Sequence, residues 1–254
     1  MARAKRYYLP GLIWHITHRC HKREFLLKFP RDRRRWLYWL FLAKKRFNLR
    51  ILGYTVTSNH IHLLMWDSHS AKSGHVIPCA LHLAASRIAQ EYNQRKRRRG
   101  AFWEDRYHAT AVESGSHLLR CLLYLDLNMV RAGVVSHPRD WLHGGYSELC
   151  RGKKRYVLID RPSLVELTGF SDFDDFWSSY NVWLAEALEK EELSRESRWT
   201  ESVAVGSGEY LEKISKRLGV KLRSRKIIDD KGMFVIREEI SCWKSFRRPI
   251  IREN

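Results

Sequence analysis

Two histidines separated by one residue, His60 and His62 in Ser58-Asn-His-Ile-His-Leu-Leu-Met65, are the side chains in this sequence best placed to share a chemical task. Successive residues of an extended strand point to opposite faces, so both imidazoles leave one face while Ile61 points into the core. Their Cα atoms then lie roughly 6–7 Å apart, and ring nitrogens at that separation converge on one divalent cation. A chain with 12 histidines produces such pairs by chance as well, so the pair needs company.

A second constellation lies downstream, in Leu118-Leu-Arg-Cys-Leu-Leu-Tyr-Leu-Asp-Leu-Asn-Met-Val-Arg-Ala-Gly133. Tyr124 and Asn128 are four apart and share a helical face, about 6 Å from one another. Leu122, Leu123, Leu125 and Leu127 supply the buried stripe. An asparagine within so apolar a helix is unfavourable unless something bonds it. Two readings are open. In one, the Tyr124 hydroxyl sits at the domain edge and Asn128 satisfies a neighbouring loop. In the other, the Asn128 carbonyl oxygen is a third metal ligand, and the Tyr124 phenol faces whatever the cation holds.

The charge of the chain narrows what that is. The net charge is +19 over 254 residues, which makes a polyanion the expected partner. Residues 1–150 carry 26 Lys/Arg against 10 Asp/Glu, and the remainder 21 against 18. The polyanion surface therefore belongs with the histidine pair. A hydrophobic content of 44% with 12% aromatics fits a packed core and excludes a disordered chain. Cys20, Cys79, Cys121, Cys150 and Cys242 form no CxxC pair, so neither a zinc ribbon nor a disulfide framework is expected. Arg19, His21, Lys22 and Arg23 interrupt the N-terminal region before a signal core could form. The apolar stretch Trp36 to Ala43 is too short to span a bilayer. These features predict a soluble cytoplasmic protein with no membrane partner.

The elements that must position these residues follow from hydrophobic period and turn chemistry. Leu12 to His18 alternates and reads as a strand, residues 31–46 as an amphipathic helix, and Leu49 to Thr57 as a second strand. Ser58-Asn59 turns the chain into a third strand, His60 to Trp66. Pro78 opens a helix through about Arg95, and Ala109 to Val112 is a fourth strand. Ser114 or Ser116 caps a helix running to about Arg131, with Gly133 as its C-cap. The order predicts an α+β fold: a ferredoxin-like (split βαβ) antiparallel sheet over residues 1–150 with helices on one face. Residues 151–254 read as a mostly helical accessory region. In it Phe170, Phe173, Phe176, Trp177, Tyr180, Trp183 and Leu184 fall at helical spacing, either as a packing face or as a base-stacking platform. Gly208 to Gly219 reads as a short helix.

Against this background the motifs resemble those of a family. Asn59-His-Ile-His-Leu-Leu64, Gly100-Ala-Phe-Trp-Glu-Asp-Arg-Tyr107 and Tyr124-Leu-Asp-Leu-Asn-Met-Val-Arg-Ala-Gly-Val134 resemble the single-tyrosine HUH endonucleases, specifically the IS200-like and REP-associated tyrosine transposases. The likeness continues into Trp141 and Gly145-Tyr146-Ser147, and spans roughly residues 5–150. Met129 stands where these proteins usually have proline, which leaves the Tyr124–Asn128 spacing intact. The resemblance implies that His60, His62 and Asn128 hold Mg²⁺ or Mn²⁺. It also implies that Tyr124 is the nucleophile on single-stranded DNA at hairpin-forming repeat sequences, leaving a 5′-phosphotyrosyl enzyme and a free 3′-hydroxyl. It implies a bacterial enzyme associated with the nucleoid through DNA, acting as a monomer or a homodimer. Nothing carries over to residues 155–254.

The expected DNA contacts are Arg3, Lys5 and Arg6, the run Arg95, Lys96, Arg97, Arg98 and Arg99, and the aromatic-basic group Phe102, Trp103, Arg106 and Tyr107. Arg19, Lys22, Arg23 and Arg31–Arg35 are further candidates for a phosphate track, with solvated faces and ordinary packing as the rival readings. His15, His18 and His21 read as substrate-side or structural residues. A non-catalytic hairpin DNA- or RNA-binding module on the same fold is the alternative function. Its third strand would then be expected to carry aromatic stacking residues instead of two histidines.

Overall fold

A computed structural model describes residues 9–68, 75–152, 155–190, 194–219, 225–230 and 232–238. The elements run β1 (Ile13–Arg19), α1 (Pro30–Phe47), β2 (Arg50–Val56), β3 (His60–Trp66), α2 (Val76–Arg95), β4 (His108–Val112), α3 (Ser116–Asp126) and α4 (Asn128–Arg131). They continue through α5 (Gly145–Arg151), α6 (Arg161–Thr168), α7 (Phe173–Glu189), α8 (Arg198–Glu201), β5 (Ala204–Gly206), α9 (Gly208–Leu218), β6 (Arg225–Asp230) and β7 (Met233–Glu238). All belong to one sheet and its covering helices, with strand order β2-β3-β1-β4-β5-β7-β6.

The first four strands pair antiparallel, in the order the βαββαβ sequence pattern requires. β1 lies between β3 and β4, and its register sets which side chains share a face: Thr17 stands opposite both His62 and His108, and His15 opposite both Leu64 and Thr110. The α+β class holds, with two differences of detail. The sheet does not close at β4, because β5 adds parallel to it, so the sheet is mixed. The helices also cover both faces. Trp103 stacks on His18, meets Trp36 of α1 edge-on and donates to the Ala85 carbonyl of α2, which puts α1 and α2 on the His18 face. α3 packs on the other.

That second packing has a local cause. The β2–β3 register shifts between Ile51 and Gly53, and a side chain at Gly53 would put its Cβ 2.5 Å from Leu122 Cδ1. Glycine at this position spares the buried Leu122 side chain a displacement and eases the close packing of α3. Leu118, Cys121, Leu122, Leu125 and Leu127 are buried, whereas Leu123 of the expected stripe is only partly so, and this apolar face presses α3 onto the face that carries His60 and His62.

α3 begins at Ser116, with Gly115 at φ 67° as its first flanking residue and no side-chain cap, so neither Ser114 nor Ser116 plays the capping role expected of them. Nor does the helix run unbroken to Arg131. It breaks at Leu127, and the carbonyls freed there find side chains: Arg131 Nη2 donates to Tyr124 O at 2.8 Å and Thr55 Oγ1 to Leu125 O at 2.9 Å. Gly133 does end the segment, at φ 65° with Gly133 N bonded to Val130 O and Val134 N to Met129 O, the paired bonds of a glycine-terminated helix.

The sequence pattern divides the chain near residue 150, and in the structure the sheet and the buried core both continue past that point. Phe176, Tyr180 and Leu184 of α7 and Trp199 of α8 belong to the same buried cluster as β1–β4. The aromatic face of α7 is thus packing surface at these positions. α6, α7 and α9 are capped by Asp160, Asp172 and Ser207, each accepting from a first-turn amide. Among the described residues no helix is long and apolar enough to cross a membrane.

Candidate active site

His60 and His62 project from β3 into a cavity of about 850 Å³ whose walls also include Tyr124, Asn128 and Arg131. The two imidazoles lie 4.9 Å apart between centroids. The Tyr124 ring stands edge-on to His62 at 6.0 Å, and Asn128 Nδ2 is 3.2 Å from His62 Nε2. The two distant stretches singled out in the sequence therefore meet. The break at Leu127 does not separate Tyr124 from Asn128, which line the same cavity.

Local bonds orient His60. Asn59 Nδ2 donates to the Arg23 carbonyl at 3.2 Å, so Asn59 Oδ1 faces the ring and accepts from His60 Nδ1 at 2.7 Å. Thr57 Oγ1 braces the same nitrogen at 2.9 Å. A neutral imidazole protonated at Nδ1 keeps its lone pair at Nε2. Burial lowers the His60 pKa to about 4, with the charge of Arg19 acting in the same direction. Burial likewise holds His62 well below the usual histidine range, assisted by His60 and His15. Both rings are neutral at pH 7, the form that ligates metals.

These residues fit a divalent cation. Half a turn of the Asn128 carboxamide exchanges Nδ2 for Oδ1 and brings an oxygen donor toward His62, giving a nitrogen–nitrogen–oxygen donor set of a kind that divalent metals take. Among the described residues no group of three or more His, Cys, Asp and Glu is arranged to hold a metal.

Tyr124 is 5% exposed. Burial raises its pKa, opposed by the charges of Arg131 and Arg195. Arg131 places its guanidinium carbon 4.2 Å from the ring centroid. The phenol is thus apolar in its surroundings but faced by cations.

The residues expected to contact DNA divide. Arg106 lines the cavity, as do Arg19 and Arg23. The Arg95–Arg99 run is only partly a free basic surface: Arg95 pairs with buried Asp32, and Arg98 bonds Asn93 Oδ1 and the Ala101 carbonyl and pairs with Glu24. Lys96 lies over the Phe29 ring, while Arg97 and Arg99 are exposed. Phe102 is buried and meets Tyr92 and Trp103 edge-on, so it is core and no base platform. Trp103 is committed to His18, Trp36 and Ala85 in the same way. Tyr107 is half-buried against His18. In Arg31–Arg35, Arg33 bonds two carbonyls and lies over Trp141, and Arg35 holds Glu91 through two nitrogens. Arg3, Lys5 and Arg6 lie outside the described residues.

Four residues contribute to this site in positions that were not foreseen. Arg195 and Thr200, from the stretch before β5, close one side of the cavity. Trp199 packs its ring 6.3 Å from Tyr124. His15, on the strand beside β3, stacks on His62 at 5.2 Å. For His15 the signal was available: with β1 beside β3, odd-numbered β1 residues share the His60/His62 face. For residues 195–200 no motif pointed to the site.

No curated protein matches the chain. A solved REP-associated tyrosine transposase bound to a REP hairpin is similar at 18% identity, over 61% of this chain and 90% of that one, with a TM-score of 0.46. A candidate transposase from Deinococcus radiodurans R1 is similar at 17% identity, over 44% and 87%, with a TM-score of 0.33. The model of the family described as "Transposase IS200 like" matches residues 9–125, a span that holds β1–β4, both histidines and Tyr124 and stops just short of Asn128. Over that span, a little under half of the chain, the sequence is similar to the IS200-like transposase family.

Proposed function

We propose that the protein is a metal-dependent single-stranded DNA endonuclease and strand transferase with Tyr124 as nucleophile. The observation that supports this most directly is the cavity itself. It gathers a buried phenol, two neutral imidazoles and a carboxamide beside Arg19, Arg23, Arg106, Arg131 and Arg195.

The arginines bind and orient the DNA backbone along the cavity. Tyr124 attacks the scissile phosphorus, a bond forms between Oη and phosphorus, and the phenolic proton is given up. The 3′-oxygen leaves with its electron pair and is protonated to a free 3′-hydroxyl. Arg131 and Arg195 favour the phenolate that burial alone would disfavour. His60, His62 and Asn128 would hold Mg²⁺ or Mn²⁺, whose charge stabilises the developing negative charge on the phosphate oxygens. The aryl phosphodiester keeps the bond energy, so a later 3′-hydroxyl can displace Tyr124 and rejoin strands. Hairpin-forming repeats are the substrate class, as the motif resemblance implies.

The test is to incubate the protein and labelled hairpin oligonucleotides with Mn²⁺. The expected result is an SDS-resistant adduct carrying the label from the 5′ end of the downstream fragment, absent in Tyr124→Phe. Binding without an adduct across a broad set of oligonucleotides would support the non-catalytic alternative and overturn this reading.

A further inference from the structure

We infer that His15 is a positioning residue: a C-terminal backbone carbonyl holds it, and it in turn fixes the tautomer in which His62 faces the cavity. The role assigned to the cavity rests on the function proposed above; the tautomer does not.

The chain of donors and acceptors has one solution. Trp199 O, a carbonyl, can only accept, and it lies 2.8 Å from His15 Nδ1, so that nitrogen carries the proton. Neutral His15 then has an acceptor at Nε2, 3.0 Å from His62 Nδ1. His62 Nδ1 must donate, which leaves the His62 lone pair on Nε2, the nitrogen beside Asn128. A ring with the opposite tautomer would set lone pair against lone pair at 3.0 Å. His60 reaches the same state by a different route, through Asn59 Oδ1. The two imidazoles therefore offer Nε2 together, one held by its own turn and the other by a relay through the sheet.

The far end of the relay is built as firmly as the near end. His15 is fully buried, as is Trp199. Thr110 Oγ1, opposite His15 in the β1–β4 register, lies 3.0 Å from Trp199 O and 2.7 Å from Ser202 O. Val203 then joins the sheet on both sides, with Ala111 N bonded to Val203 O and Val203 N to Ile236 O. The stretch that seemed furthest from the chemistry supplies the carbonyl that sets a ligand's proton. An imidazole that bonds a cation through one nitrogen is ordinarily oriented through the other, and removing such a partner typically costs about 10–100-fold in metal affinity.

The test uses full-length protein labelled with ¹⁵N-histidine and free of metal, in which two-bond proton–nitrogen correlations assign each tautomer, followed by Mn²⁺ titration. In wild type His62 is expected as the Nδ1–H form. In His15→Leu the His62 ring should become a mixture, with Mn²⁺ binding weakened about 10–100-fold. His15→Gln, which keeps an oxygen acceptor where Nε2 was, should restore both to near wild type. An Nε2–H tautomer in wild type overturns the inference even if His15→Leu fails to fold. So does an unchanged His62 tautomer in folded His15→Leu. A wild-type protein with His62 as Nδ1–H that binds no Mn²⁺ leaves the relay standing and overturns the cation site of the proposed function.

Discussion

Arg131 touches Tyr124 twice, donating from Nη2 to its backbone carbonyl at 2.8 Å and holding its guanidinium 4.2 Å from the phenol ring centroid. One side chain thus occupies the carbonyl freed where α3 breaks and brings a positive charge to the proposed nucleophile. Both jobs need a forked, permanently charged group, which a lysine does not reproduce.

Replacing Arg131 should change how the reaction responds to pH. Burial raises the Tyr124 pKa, and Arg131 opposes that rise. In Arg131→Gln the pKa climbs further and less phenolate is present at any given pH. Adduct formation should slow by about 10²-fold near pH 7.5. The rising limb of its pH–rate profile should move to higher pH, with partial recovery at pH 9. A uniformly slower profile of unchanged shape would show that Arg131 does not act on the phenol.

Asp126, two residues after Tyr124, faces away from the cavity and accepts from Tyr180 Oη at 2.6 Å. Burial raises its pKa from 3.8 to about 7, against the pull of the Tyr180 bond. The folded state therefore holds a proton that the unfolded chain releases near pH 4. By linkage the contribution is fully present below that value and is lost as pH rises from about 4 through about 7. Asp126→Asn keeps an acceptor for Tyr180 and removes the titration. Relative to wild type it should gain about 2–4 kcal/mol at pH 8 and little at pH 4. Melting temperatures measured across that range check this, and parallel curves for the two proteins would sink it.

Arg95 and Arg23 carry the same charge but should fail differently. Arg95 pairs with Asp32, a carboxylate that is 2% exposed. Arg95→Ala strands that charge and should cost about 1–3 kcal/mol of stability. It should leave the salt dependence of DNA affinity nearly unchanged. Arg23 lines the cavity, and Arg23→Ala should leave the melting temperature within about 1–2 °C. It should lower the slope of log K against log salt by about 1. Denaturation and binding titrations at several salt concentrations separate the two, and a reduced slope in Arg95→Ala would return that residue to the DNA surface.

How much of this was legible in the sequence depended on the range of the interaction. β3 was read to the residue because the His60–Trp66 alternation and the Ser58-Asn59 turn are local signals. The meeting of His60 and His62 with Tyr124 followed once the leucine stripe of α3 had to bury itself on the sheet. What stayed hidden was long-range. Arg95 and Phe102 look like a basic loop with an aromatic beside it until Asp32 and Tyr92 arrive from elsewhere in the chain. The break at Leu127 depends on Thr55 and Arg131 accommodating two carbonyls, which no helix period announces. The role of Trp199 is carried by its backbone oxygen, so no residue type could have advertised it. The motifs end near residue 150, but the sheet runs on through β5, a pairing with β4 that no local pattern signals.

The cation site makes the last prediction. A ligand that binds only the folded chain stabilises it by RT ln(1 + [L]/Kd), about 2.7 kcal/mol at a hundredfold excess over Kd. For a chain of this size that raises the melting temperature by roughly 5–10 °C. Saturating Mn²⁺ should produce such a rise in wild type, and EDTA should reverse it. His62→Ala and His60→Ala should each abolish the rise, measured against their own metal-free melting temperatures. Asn128→Ala, which removes the oxygen and keeps both imidazoles, should reduce it. The shift should also fade below about pH 5, because protons compete for the two imidazoles as pH falls toward their depressed values. A Mn²⁺ response that survives both histidine substitutions would place the cation elsewhere on the protein and remove the chemical basis for assigning Tyr124 to it.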